Sequence, residues 1–511
     1  MVEYCDDKRR DSPEFDPEVI WSRKEPTPSP GFRLFFGAAR NARFCQKTAE
    51  FAGLWAQLGG LPRRPWPPVK VLFVGRLAER PESGLIATAV QIGFGRLKTL
   101  LLNSGLAMKT TAEANTPSRE TLVSLIDRHS SALAVQLQAH HLSTFPPVAR
   151  KGIRHFQPSE AAKLVGVKEV YLRQVSNDID GLEVSTTPGG RRSYSVEDID
   201  KIRRHLDKVG RADRRYLPHR RDGEELQVIS VMNFKGGSGK TTTSAHLAQY
   251  LALRGYRVLA VDLDPQASMS ALYGHQPELD VQENETMYGA IRYDDARRPL
   301  KDIIRKGYIP GLDLVPGNLE LMEFEHDTPR ALMTRQPGDV MFFQRLSNSI
   351  EEVSAEYDIV IIDCPPQLGY LTLSALTAAT SVLVTVHPQM LDVMSMNQFL
   401  AMVADLLREV ASAGGNVDFA WMRYLITRFE PSDGPQNQMV GYLRSIFGAH
   451  VLNFPMLKST AVSDAGLTNQ TLYEVERGQF TRSTYDRALE SMNSVNDEIE
   501  TLVKKAWGRP T

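Results

Sequence analysis

Cysteine is scarce in this chain: 511 residues hold three, Cys5, Cys45 and Cys364, far apart and without metal-type spacing. That spacing excludes a disulfide framework and a structural zinc site, and it suits a reducing compartment. An excess of either charge is also missing. Lys and Arg total 60 against 61 Asp and Glu, so only local clustering can point to an anionic partner. Long uninterrupted apolar runs are lacking too. The most apolar N-terminal stretch, Leu85 to Met108, is broken by Arg96 and Lys98, which are costly in a hydrocarbon core. The chain opens on the polar MVEYCDDKRRDSPEFDPE rather than on a basic and then apolar leader. Cytoplasmic residence without membrane association is the expectation. What is present in quantity is ordinary core material, 42 % hydrophobic residues, in a length that suits two or three domains.

Along the chain the composition changes several times. Residues 1–107 carry Pro-rich islands, KEPTPSP and LPRRPWPP, and no sustained period of 3.6 or 2. They read as a poorly ordered arm, or as residues ahead of a native start at Met108. Residues 108–154 contain ETLVSLIDRHSSALAVQLQAHHL, in which Leu122, Leu125, Ile126 and Leu133 fall at helical intervals. The stripe fits either a dimerising partner helix or packing on its own domain. In 155–221, Pro158 opens a short helix, Gly166 marks the turn, and a second helix follows from Lys168. An extended segment and TPGGRR come next, and Ser195 with Asp198 forms the capping box of a further helix. The connector from Lys201 to Arg221 holds nine Lys or Arg against two Asp. From 222 to 511 the apolar runs LQVISVMNF, YRVLAVDLD, YDIVIIDCP and TSVLVTVHP alternate with helix-like segments, the pattern of a mostly parallel α/β sheet covered by helices on both faces.

The chemistry concentrates in VISVMNFKGGSGKTTTSAHLA, a strand, a glycine-rich loop and a helix in the order that a phosphate cradle requires. Gly236, Gly237, Ser238 and Gly239 supply converging backbone N–H groups, Lys240 a cation, and Thr241 and Thr242 hydroxyls, that of Thr241 suited to Mg²⁺. Lys235 is an additional lysine where the common GxxxxGK[ST] motif begins with Gly. Two further strands end in carboxylates, Asp262 and Asp264 in VDLDPQ and Asp363 in IIDCPP, at the sheet edge where ligands sit in open α/β folds. Asp363 occupies the position that holds Mg²⁺ through water. Cys364 beside it has no histidine in a partner motif and is given no catalytic part.

KGGSGKTT, DLDPQ and IIDCPP together resemble the deviant Walker A class of P-loop NTPases, the ParA, MinD and nitrogenase iron-protein relatives of the SIMIBI group. The resemblance implies ATP and Mg²⁺ as cofactors and a homodimer closed around nucleotide, with Lys235 reaching the partner's phosphates. It further implies that Asp264 orients the attacking water and that Asp262 joins Thr241 and Asp363 around the metal. Lys235, Asp264 and Lys240 are then the catalytic candidates, in a slow ATPase stimulated by a partner. The tail NDEIETLVKKAWGRPT is too poor in basic and bulky apolar residues for a MinD-type anchor, and one cysteine in the ATPase region is too few for an iron–sulfur cluster.

Within the class the chain resembles ParA proteins that carry their own operator-binding domain, in particular the RepA proteins of repABC replicons. PSEAAKLVGVKEVYLRQV followed by TPGGRRSYSVEDI looks like an α-helical winged helix-turn-helix of the MerR kind. Its reading helix, Lys168 to Val175, would present Lys168, Tyr171 and Arg173 to DNA, with Arg191 and Arg192 on the wing against phosphates. NFPMLKSTAVSDAG resembles a family segment used for nonspecific, nucleoid-associated DNA binding, but Lys458 is its sole basic residue. The implied function is partition of a low-copy replicon with a ParB/RepB-type centromere-binding partner, together with repression of its own operon. Two alternatives stay open, a nucleotide-sensing repressor without a motor role and a metabolic P-loop ligase.

Overall fold

The computed structural model describes residues 121–144, 151–187, 189–210 and 215–510. The expectations for 1–107 and for the start of the 108–154 segment lie outside the described residues. All that follows belongs to the unit Ser118–Thr511. Helix α1, Leu122–Thr144, carries the anticipated stripe, with Leu122, Ile126 and Leu133 exposed.

Helix α2, Pro158–Val165, begins with proline in its first turn and ends on Gly166 in the left-handed region, φ 81°, whose N–H returns to the carbonyl of Ala162. Helix α3, Glu169–Asp178, follows directly. Strands β1, Ser185–Thr186, and β2, Arg192–Ser193, form an antiparallel ribbon. Helix α4, Val196–Val209, starts at the expected capping box: Ser195 Oγ accepts from the Asp198 N–H, and Asp198 accepts from the Ser195 N–H at 2.9 Å.

The sheet has seven strands: β3 Gln227–Met232, β4 Val258–Asp262, β5 Arg305–Lys306, β6 Leu312–Val315, β7 Ile359–Asp363, β8 Ser381–Val386 and β9 Trp421–Ile426. Their order is β5-β6-β4-β7-β3-β8-β9, all parallel except the short edge strand β5. The four apolar runs are the four central strands. Their alternation feeds two cores: Ile229, Val231, Ala260 and Ile361 face one side, and Val228, Leu259, Val360 and Ile362 the other.

On the first face lies helix α5, Lys240–Arg254, with α13, Arg482–Ala506, packed on it. The same core continues without a break into Phe156, Leu172, Ile199 and Leu206, so the segment from 155 to 206 shares its interior with the sheet domain. On the second face lie α8, Phe342–Glu351, α9, Tyr370–Ala378, and α10, Met390–Ser412. Between these elements in the chain come α6, Ser268–Leu272, α7, Met322–Thr334, α11, Gly434–Phe447, and α12, Thr460–Leu467. Among the described residues α10 alone is long and apolar enough to cross a membrane. Here its Met396 and Phe399 are buried in the second core.

One buried cation joins the first segment to the sheet domain. Arg203 of α4, 2 % exposed, donates from Nη2 to the carbonyls of Leu164 and Leu253, each at 2.8 Å. A single guanidinium thus serves the C-terminal ends of both α2 and α5, where the helix dipoles favour positive charge. Burial lowers its pKa to about 10, so it stays charged at neutral pH. Room for it comes from Gly255, at φ 98°, whose Cβ would stand 2.8 Å from the Arg203 side chain. Gly255→Ala therefore combines a disfavoured backbone with displacement of a doubly bonded arginine. It is expected to cost about 1–3 kcal/mol, read as a lower midpoint in thermal or denaturant unfolding.

Candidate functional site

The loop between β3 and α5 lies at the C-terminal edge of the sheet, flanked by the ends of β7 and β8 because those strands are the two neighbours of β3. Its shape is fixed from both sides. Asn233 accepts from the Lys235 N–H at 3.0 Å and donates to the Thr385 carbonyl, which pins the loop's start. Gly237 and Gly239 adopt positive φ, 74° and 87°, which a side chain would resist. Thr385 and Thr427, at the ends of β8 and β9, bond Ser238 through its hydroxyl and its carbonyl. Lys240, Thr241 and Thr242 then open α5, so the helix N-terminus completes a cradle for an anion.

Carboxylates gather beside it for a reason of register. Asp262 and Asp363 are paired residues on the adjacent parallel strands β4 and β7, so their side chains share one edge. Both are fully buried. Burial pushes the Asp262 carboxyl up to about 7 against the hydrogen bonds from Ser270, and burial with the charge of Asp262 pushes Asp363 up to about 8. Asp262 spends its oxygens within the chain, accepting from the Ser270 N–H and Oγ and, at 3.3 Å, from the Asp264 N–H. Asp363 accepts from Ser244 Oγ at 3.0 Å through one oxygen, while its other oxygen is buried without a well-aligned hydrogen bond, and the Thr241 hydroxyl lies near enough to the carboxylate to lower its pKa. The arrangement fits a divalent cation, which would relieve both that oxygen and the crowding of negative charge. Asp363 and Thr241 are the side chains best placed to hold it, with Asp262 fixing the edge behind them.

Lys240 is buried, and desolvation lowers its pKa against the attraction of Asp363 and Asp264. Asp264 is 7 % exposed. Burial raises its pKa, and it accepts from the Gln266 N–H at 2.9 Å. Cys364 is a buried free thiol pushed far up by desolvation. Lys235 does not point into the cradle. Its ammonium pairs with Asp392 in the first turn of α10, and His387 Nδ1 donates to the same carboxylate at 3.1 Å. Arg428, at the end of β9 in the left-handed region, φ 52°, donates to the Gly237 carbonyl at 3.0 Å.

Residues 226–413 match a family profile described as an AAA domain. A protein of Rhizobium rhizogenes named for replication protein A is 74 % identical over 390 residues, spanning 76 % of this chain and 96 % of its own length. Protein SopA of Escherichia coli K12 is 30 % identical over 371 residues, which is 71 % of this chain and 92 % of SopA. The chain belongs to the ParA-type partition ATPases. A solved structure of a protein described as a partition protein shares the fold of this partition ATPase at a TM-score of 0.52 and 18 % identity, covering 73 % of the chain and 98 % of that structure.

In this partition ATPase most of the candidates drawn from the 155–206 segment are exposed. Lys168 is the N-cap of α3, and Lys168, Tyr171 and Arg173 are exposed, Arg173 paired with Glu169. Arg191 is exposed on the ribbon, whereas Arg192 turns back to donate to Asn177 Oδ1 at 2.7 Å and to the Arg173 carbonyl. Arg192 thereby ties the ribbon to the end of α3. Lys458 is exposed and paired with Glu430 at 3.0 Å.

Proposed function

We propose that this ParA-type chain is a cytoplasmic ATP-driven switch for partition of a low-copy replicon, in which ATP with Mg²⁺ closes two protomers and hydrolysis reopens them. The observation that carries the reading is the loop itself. It is a glycine cradle with buried Lys240 beside Asp264 and Asp363, and a second lysine, Lys235, stands on its outer side where a partner could be reached. The exposed Met390, Leu391 and Met394 of α10, beside the Lys235–Asp392 pair, supply an apolar face for the second protomer to cover. The roles follow from these positions. Gly236 to Thr242 hold the phosphates, Thr241 and Asp363 hold the metal with Asp262 behind them, and Asp264 orients water. No strong general base stands in the cradle, so unstimulated turnover is expected below about 1 s⁻¹, the bottom of the usual range.

In this reading residues 155–206 are a winged helix-turn-helix that reads an operator through α3, with Lys168, Tyr171 and Arg173 toward bases and Arg191 toward phosphates. Arg192 serves as the brace of that wing. The ATP dimer also holds nonspecific DNA near Lys458, which would associate it with the nucleoid, and meets a ParB/RepB-type centromere-binding protein. The likeness to SopA and to the solved partition protein supports this output. Light scattering of the full chain tests the switch. The wild type is expected to form a dimer with ATP and Mg²⁺ and not with ADP, and Lys235→Ala is expected to remain unresponsive. A dimer independent of ATP in both proteins would remove the basis of the reading.

A further inference from the structure

Asp392 has no part in the chemistry assigned above, yet its surroundings are built with care. It lies in the first turn of α10, where the helix dipole favours a carboxylate, and it is 7 % exposed. Its two oxygens face two residues brought from elsewhere: Lys235 Nζ forms an ion pair with Oδ1, and His387 Nδ1 meets Oδ2 at 3.1 Å. Burial lowers the His387 pKa, as do the charges of Arg428 and Lys235, so at neutral pH the imidazole donates from Nδ1 while adding no charge. Lys235 is then the one cation paired with Asp392 among the described residues. The loop is also held against α10 just before the lysine, where the Phe234 and Phe399 rings stack at 5.3 Å.

An ammonium on Asp392 cannot at the same time neutralise a partner's phosphate. Its departure leaves a buried carboxylate without a counter-charge, which is costly unless the site rearranges. The nucleotide-free protomer therefore resists the release of Lys235. We propose that Asp392, oriented by His387, is a positioning residue that holds the Lys235 ammonium within its own protomer and thereby sets the ATP concentration at which two protomers close. This rests on the reading of Lys235 as the lysine that reaches nucleotide.

The test is an ATP titration with Mg²⁺ on the full chain, followed by light scattering, with the nucleotide-free melting temperature measured alongside. Asp392→Asn keeps the shape and removes the charge. Its dimerisation midpoint is expected to fall about tenfold, the factor for a latch closed in about nine of ten molecules. A lesion that merely loosens the fold would raise the midpoint, so the direction separates positioning from structure. A folded Asp392→Asn protein with an unmoved or raised midpoint overturns the proposal. Should that variant not fold, His387→Ala, which leaves the carboxylate unoriented, is expected to lower the midpoint by about threefold, and an unmoved midpoint there overturns it equally. Lys235→Ala distinguishes the two levels. Wild-type ATP dependence in Lys235→Ala sinks the reading of Lys235 and the latch with it, whereas its loss combined with an unmoved Asp392→Asn midpoint sinks the latch alone.

Discussion

Asp264→Ala is expected to reduce ATP hydrolysis by about 10²-fold, the order lost when a reacting molecule is no longer held in line, while ATP-dependent dimerisation persists. The carboxylate stands two residues beyond the end of β4, and nearby Lys240 offsets part of the burial that raises its pKa. Binding and catalysis separate because the cradle is made of loop backbone, Lys240 and the start of α5, none of which Asp264 contacts by a hydrogen bond. Its bond from the Gln266 N–H is local. Asp264→Asn keeps an acceptor for that N–H and should lose hydrolysis to a similar degree, which would exclude a collapsed turn as the cause. Single-turnover hydrolysis and light scattering give the two readouts. Replicon inheritance then decides what hydrolysis is for. If Asp264→Ala still supports inheritance and alters only repression, the nucleotide-sensing repressor is the better description.

Much of this site was legible because its signals are local. The central strands announce themselves as β-branched runs buried on both faces, and glycine, lysine and hydroxyl residues at fixed offsets have few other uses. The strands flanking the central four were not legible. LDLV of β6 is four residues long and carries Asp313, and WMRYLI of β9 mixes buried with half-buried positions. The 155–206 helices could be read from Pro158, Gly166 and Ser195, which act within a few residues of themselves. The direction of Arg192 could not, because its partner Asn177 lies on α3 and only the folded ribbon brings them together. Asp392 was missed for the same reason. HPQMLD follows an apolar strand just as DLDPQ does, and a carboxylate beyond a strand end raises the same question in both places. Its importance depends on β8 lying next to β3, which is a fact of strand order. Arg203 reads in sequence as one more cation in a basic connector, and only its burial over Gly255 makes it structural.

The cradle helix is also tied to the C-terminal part of the chain by a histidine, and acid should undo that tie. His246 on α5 donates from Nδ1 to the Thr242 carbonyl at 2.7 Å, and its Nε2 accepts from the Leu472 N–H at 3.1 Å. An Nε2 that accepts cannot carry a proton, so this geometry requires the neutral ring. Burial lowers the pKa to about 4 from an ordinary 6.5. The folded-state value is depressed, so the stabilisation is fully present above about pH 6.5 and is lost as pH falls from there to about 4. The loss is on the order of 3 kcal/mol. Asp262 and Asp363, whose values are raised, shift stability the opposite way on acidification, so the total curve is a poor measure. The difference between wild type and His246→Gln isolates the imidazole, since the glutamine carbonyl can accept from Leu472 without titrating. Denaturant unfolding between pH 7 and 4 should show the wild type losing about 3 kcal/mol relative to the variant, and parallel curves would show that the ring is not held neutral.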